Sequence, residues 1–249
     1  MLRAFSSLLA IALLVGRLDA AANADETVAS TAPVVVELFT SQGCNSCPPA
    51  DALLGELAQR SNLIALAFHV DYWNYIGWED PFSSPEATQP QRDYARSLGL
   101  SSVYTPQMVI DGSLDAVGSD RAKVNRAIAA VSQHGKIPIA IAAGPAGGWR
   151  ATIPATEIDQ PATVWLALYD RQHITPVKRG ENAGATLTDY NIVREFRRIG
   201  QWDGAKLDLP LDIEATDLAD RGFAIIVQAG AAGPILGAAL LPAAPAGGI

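Results

Sequence analysis

The only two cysteines of this 249-residue chain stand two residues apart, in the stretch 38-LFTSQGCNSCPPAD-51. A C-x-x-C pair has three chemical uses: to staple the chain, to supply part of a metal site, or to exchange disulfides. A staple gains most when it closes a long loop, ~3 kcal/mol for 15 residues in the chain-entropy picture. Here the loop holds only Asn45 and Ser46, so little unfolded-state entropy is removed. For a metal, Cys44 and Cys47 with His69 would suit a soft ion such as Cu(I). The same set leaves a structural zinc site one ligand short.

Disulfide exchange needs a thiolate, and the residues flanking the pair favour one. The run 33-PVVVELFT-40 is β-branched and almost wholly apolar, as in a strand buried on both faces. After the cysteines, Ala50, Leu53, Leu54, Leu57 and Ala58 recur at helical spacing, giving a helix to about Arg60. Cys44 is thereby expected at a helix N-terminus, where unpaired N–H groups and the dipole favour an anion. Cys47, one turn inward, is placed to resolve a mixed disulfide formed by Cys44. Pro48 and Pro49 fit the first helical turn, which has no internal acceptors for their missing N–H groups. No Lys or Arg lies between Ser41 and Gln59, and Asp51 and Glu56 are negative, so the expected fall in the Cys44 pKa is modest.

The following elements continue the alternation. The segment 63-LIALAFHVDYW-73 reads as a second buried strand, and 85–98 as a helix with Pro85 near its start and Pro90 kinking it or delaying its beginning. A hairpin, 106-PQMVIDG-112 with 113-SLDAVG-118, turns at Asp111-Gly112. Ser119 caps a last helix through about Gln133. After Gly135 eight short strand-like runs follow without a convincing helix, suggesting a β-sandwich. Within them 190-YNIVREFRRIG-200 also fits a short helix.

The strand–C-x-x-C–helix unit, the order of elements and the proline opening the third strand at 104-YTPQMVIDG-112 resemble a thioredoxin fold over residues 33–133. More narrowly, 37-ELFTSQGCNSCPPAD-51, 69-HVDYWNYIGWEDPFSS-84, 104-YTPQMVIDG-112 and 180-GENAG-184 resemble a secreted bacterial thioredoxin-like family of unassigned function, domain-of-unknown-function family 1223. The expected fold class is an α/β thioredoxin-like N-terminal domain (β-α-β-α-β-β-α) over 33–135, followed by an all-β sandwich-like domain over 136–242 and a flexible tail at 243–249. The resemblance implies a cis Thr105–Pro106 bond facing the cysteines, with Thr105 offering its backbone to a substrate chain. It also implies that an acid near Glu37 serves proton transfer to the second cysteine, although an edge carboxylate reaching solvent is an equal reading of Glu37. The chain departs from thioredoxins in carrying Gly43 before the first cysteine and Asn45-Ser46 between the pair.

His69 closes the second strand ahead of Asp71, Tyr72, Trp73, Tyr75 and Trp78. This aromatic group could form a substrate groove or a packed loop core. The expected site is therefore Cys44, Cys47, Glu37 and Pro106 for chemistry, with Thr105, His69, Tyr72 and Trp73 for substrate and no resident metal or cofactor. Glu181, Asn182 and Arg194 read as a polar cluster supporting a turn; His134 and His173 read as ordinary surface or core residues.

The N-terminus, 1-MLRAFSSLLAIALLVGRLDAAANADE-26, has Arg3 before an apolar block and small residues after it, the layout of a signal peptide ending at Ala24; residues 25–32 read as a linker. The block is far short of the ~20 residues of a spanning helix, so export to a periplasmic or extracellular compartment without a stable membrane anchor is expected. Disulfides persist there. A net charge of −8, without any basic cluster, argues against a nucleic-acid partner. The partner class is a thiol- or disulfide-containing protein or small thiol. The competing readings are copper handling and a non-catalytic binding module.

Overall fold

A computed structural model describes residues 32–144, 148–213, 218 and 221–241. The expected signal peptide (1–24) and tail (243–249) lie outside the described residues, as does the linker up to residue 31. Strand β1 (Val34–Thr40) is buried along its whole length and is followed by α1 (Pro48–Leu57) and β2 (Leu63–His69). A 3₁₀ turn at Asn74–Ile76 leads to α2 (Pro85–Ser97), then β3 (Gln107–Ile110), β4 (Leu114–Val117) and α3 (Arg121–Val131). The eight short runs read in the second half become seven strands among the described residues, β5 (Ala140–Ala143), β6 (Trp149–Ile153), β7 (Ala162–Pro176), β8 (Thr186–Trp202), β9 (Leu207–Leu211), β10 (Arg221–Ala229) and β11 (Ile235–Leu241).

The expected fold class, a thioredoxin-like β-α-β-α-β-β-α domain followed by a separate sandwich, is overturned. One mixed sheet of eight strands runs through both halves in the order β11-β10-β7-β8-β2-β1-β3-β4, and β5, β6 and β9 form a second sheet. The joint is β2 with β8, parallel at Ala67 and Ile192. The reason is physical. Strand β2 is buried on both faces, so its free edge must find backbone partners, and β8 supplies them. Local patterning shows that a strand is buried, but not which strand covers its edge.

The long strands also differ from expectation. The sequence patterning reads 162–170 and 173–180 as two short runs; in the structure β7 runs unbroken for 15 residues across both and pairs with the 17-residue β8. The 190–200 segment is strand throughout, not helix. Pro90 sits inside α2, whose N-cap is Ser84 accepting from the Ala87 N–H. Asp120, rather than Ser119, caps α3 by accepting from the Lys123 N–H at 3.0 Å.

Alternation along β1 divides the core. Val34, Val36 and Leu38 face α1 and α3 with Leu54, Ile128 and Val131. Val35 and Phe39 face the α2 side, with Tyr94, Phe68 and residues of β7, β8 and β10. A third cluster packs the small sheet on the large one around Trp202, Phe223 and Ile153. The β3–β4 turn locks to the β10–β11 turn: Asp111 accepts from the Ile235 N–H through its carbonyl at 2.9 Å. Asp111 and Gly112 both have positive φ, 50° and 63°, and a Cβ at Gly112 would stand 2.3 Å from the Gly233 carbonyl oxygen. Gly112→Ala is therefore expected to lower stability by about 2 kcal/mol or more. Denaturant unfolding measures this, and a change within about 0.5 kcal/mol would contradict the packing.

Candidate functional site

Cys44 and Cys47 form a disulfide, with Cα atoms 5.5 Å apart. Both sulfur-bearing residues are buried, at 1% and 0% exposure, while Asn45 and Ser46 between them are exposed. Cys47 is the N-cap of α1 rather than one turn inside it, and Cys44 lies in the preceding turn. This changes the expected thiolate chemistry. Pro48 and Pro49 carry no N–H, and the Ala50 and Asp51 N–H groups both donate to the Cys47 carbonyl, at 2.8 and 3.1 Å. The first turn thus offers Cys44 few free donors, and the Ser46 hydroxyl lies 3.3 Å from its Sγ.

Gln42 ties this loop to three other segments. Its N–H donates to Asp80 Oδ2 at 2.8 Å and its amide Nε2 to Asp189 Oδ2 at 2.7 Å. Its Oε1 accepts from Trp78 Nε1 at 3.1 Å, and its backbone carbonyl accepts from Asn182 Nδ2 at 2.9 Å. The same Asn182 amide donates to the Cys44 carbonyl at 3.0 Å, and Glu181 accepts from the Asn45 N–H at 3.2 Å. Glu181 and Asn182 therefore do more than support their own turn: the β7–β8 loop reaches across about 140 positions of sequence, the Gln42–Asn182 separation, to hold the cysteine loop. Arg194 lies apart from them, over the Phe82 ring at 5.2 Å.

Below the loop is a buried polar cluster. His69 Nδ1 bonds Asp80 Oδ2 at 2.8 Å, and Nε2 lies 4.0 Å from Asp189 Oδ1. Burial alone would lower the His69 pKa, but Asp80, then Asp189 and Asp51, outweigh it and raise it to about 9. The cationic ring in turn outweighs burial at Asp80, whose pKa is lowered. Asp189 is raised, chiefly by burial. Asp51 is buried on α1 and pushed up to about 7 by burial, with Asp189 adding to the effect and His69 and Thr40 opposing it. It stands four residues after Cys47, hence on the same helical face.

The expected site residues separate into two groups. Trp73 is brought to the cysteine loop: its Cβ would be 3.2 Å from a Cβ on Gly43, and its Nε1 donates to Thr105 Oγ1 at 2.8 Å. Thr105–Pro106 is cis. Tyr72 donates to Gln91 Oε1 at 3.1 Å. His69 joins the buried cluster, and its ring is engaged by Asp80 rather than by a sulfur. Among the described residues no group of three or more His, Cys, Asp or Glu is arranged to hold a metal. Glu37 points to the other face of β1, toward α2, where Tyr94 donates to it at 2.5 Å. Its carboxyl is raised to about 7 by burial, against the Tyr94 hydrogen bond and with a contribution from Asp111.

Gln42, Asp80 and Asp189 escaped the sequence reading, and Asp51 entered it only as a negative charge near the cysteines. Asp51 could have been noticed as a carboxylate set among the apolar residues of α1, and Asp189 by sharing parity with buried Leu187. Gln42 and Asp80 sit in irregular segments with no periodicity to betray them.

The family model described as a protein of unknown function (DUF1223) matches residues 35–228, which span the whole cluster. The chain belongs to this family. A crystal structure of an Agrobacterium tumefaciens protein is similar to this DUF1223 chain, at 32% identity and a TM-score of 0.74, covering 85% of this chain and 94% of that one. Among curated proteins none matches.

Asp51, Glu37 and His69 all bind protons more tightly in the folded chain than in the unfolded one. For the two carboxyls, whose unfolded values are near 4, the cost of folding them grows as pH rises to about 7. The His69 contribution is complete below 6.5 and lost as pH rises through about 9. The melting temperature should therefore fall between pH 5 and 9. Asp51→Asn should flatten the part below pH 7, gaining on the parent by at most about 4 kcal/mol. A difference between variant and parent that does not change from pH 4 to 7 would contradict the burial of Asp51 as an ionisable acid.

Proposed function

We propose that this chain is an exported thiol–disulfide exchange protein acting on a thiol- or disulfide-containing protein or small thiol. The observation that carries the reading is the Cys44–Cys47 disulfide with Asp51 one helical turn beyond Cys47, buried and raised to about 7. A group titrating near neutrality can both give and take a proton at working pH. Export is supported by the layout of residues 1–24.

The steps balance as follows. A substrate thiolate attacks Cys44 Sγ, the Cys44–Cys47 bond breaks, and the electron pair leaves on Cys47, which takes a proton from Asp51. A second substrate thiol, losing its proton, attacks the mixed disulfide and releases Cys44 as the thiolate. Two electrons pass from substrate to protein, and the reverse sequence reduces a substrate disulfide. Cys44 is assigned the mixed disulfide because it lies in the turn ahead of α1, next to exposed Asn45, whereas Cys47 caps the helix that carries Asp51.

Electrostatics favour the reducing direction. A site becomes strongly oxidising when its thiolate is stabilised. Here the first-turn donors are absent or occupied, Glu181 holds the Asn45 N–H, and the buried carboxyls are kept partly protonated. The reduction potential is therefore expected nearer ~ −270 mV than ~ −120 mV. The burial of both sulfurs favours a second reading, in which the bond is structural and the protein a non-catalytic binding module.

Two measurements separate these readings. Equilibration with glutathione or dithiothreitol buffers gives the potential, and Cys47→Ser with substrate extracts traps mixed disulfides on Cys44. A potential between about −200 and −290 mV with trapped partners supports exchange. A potential below about −300 mV with no trapped species, and no insulin reduction, would leave only the structural bond.

A further inference from the structure

We propose that the cavity between α2 and strands β1, β7, β8 and β10 binds a small primary-ammonium compound with an aromatic or apolar body. It is separate from the cysteine loop and its use does not depend on disulfide exchange.

The cavity encloses about 240 Å³, just under the ~300 Å³ at which pockets for drug-sized ligands begin. Its polar end is Glu37 with Tyr94 and Gln228. Gln228 Nε2 donates to the Tyr94 hydroxyl at 2.8 Å, and that hydroxyl donates to Glu37. The chain of donors thus terminates on a carboxylate that is 1% exposed. One wall is Trp165, whose ring stacks on Phe196 at 4.7 Å and 12°, and Pro90, Ala231 and Ala232 extend the apolar surface.

Charge decides the ligand class. The lining contains Glu37, Glu86 and Asp93 and no Lys, Arg or His. Asp93 is already paired with Arg96 and accepts from Gln89. Glu86, in the exposed first turn of α2, has no ion pair among the described residues, and the helix N-terminus offsets part of its charge. An anionic ligand would meet two carboxylates without a counter-charge. A neutral apolar ligand would desolvate Glu37 without repaying it. A primary ammonium brings three donors and a positive charge to an acceptor-only carboxylate, while the ring wall accommodates its body and attracts the cation.

Phenethylammonium, 2-phenylethanol and phenylacetate share a body and differ in charge, so they serve as probes. Calorimetric titration of the full chain at pH 8 should show phenethylammonium binding about tenfold or more tighter than 2-phenylethanol, and no binding of phenylacetate. Ammonium-induced NMR shifts should include the Trp165 indole. Glu37→Gln should weaken the ammonium about tenfold. Glu86→Lys, on an exposed turn where folding is not at stake, should weaken it severalfold in the same sense. Equal binding of the alcohol and the ammonium, an affinity unchanged in both variants, or no binding of the ammonium by the parent would overturn the proposal.

Discussion

Gln42 is the residue on which the arrangement of the site depends. Four polar groups on one side chain and its own peptide units are committed to three other segments: Trp78 and Asp80 in the loop before α2, Asp189 on β8 and Asn182 at the β7–β8 tip. It is 1% exposed, so each unmade bond would leave a buried polar group at ~1–3 kcal/mol. The cysteine loop therefore has its shape dictated from outside. Its own sequence supplies the sulfurs, two prolines and little else to fix it.

The long β7–β8 pair follows from the same requirement. To reach Gln42 and Cys44, the loop carrying Glu181 and Asn182 must project well past the β2–β8 joint. The pairing from Gln172 with Tyr190 to Pro176 with Thr186 supplies that extension. The loop is internally bonded, with Val177 and Gly184 paired and Asn182 accepting from the Ala185 N–H. An internally bonded arm of the second half thus holds the backbone of the cysteine loop carried by the first. Both sulfurs are buried, so the exchange proposed above would require the cysteine loop and this arm to part.

Much of the first half was legible because its signals are local. The all-apolar run at Val34–Thr40, the helical spacing from Ala50 to Leu57 and the Asp111-Gly112 turn each report their own backbone state. What failed was long-range. Nothing in 187-LTDYNIVREF-196 announces that Ile192 will pair with Ala67, so a continuous sheet was read as two domains. The thioredoxin resemblance implies proton transfer to the second cysteine by an acid near Glu37, with a solvent-reaching edge carboxylate as the equal reading; strand parity instead buries it on the α2 face. The buried carboxyl that helical periodicity brings to the cysteine end of α1 is Asp51 instead. The prolines after Cys47 were read as harmless to the first turn, and they are, but they also remove the N–H groups that would have activated Cys44.

The central claim is that Asn182, through its two bonds to the cysteine loop, limits access to the disulfide. The rate of Cys44–Cys47 reduction by dithiothreitol, measured for the parent and for Asn182→Ala with thermal unfolding as a control on the fold, tests it most directly. The loss of two hydrogen bonds of about 1 kcal/mol each predicts reduction roughly thirtyfold faster in a variant that remains folded. Equal rates in the two proteins would show that the arm does not govern the disulfide.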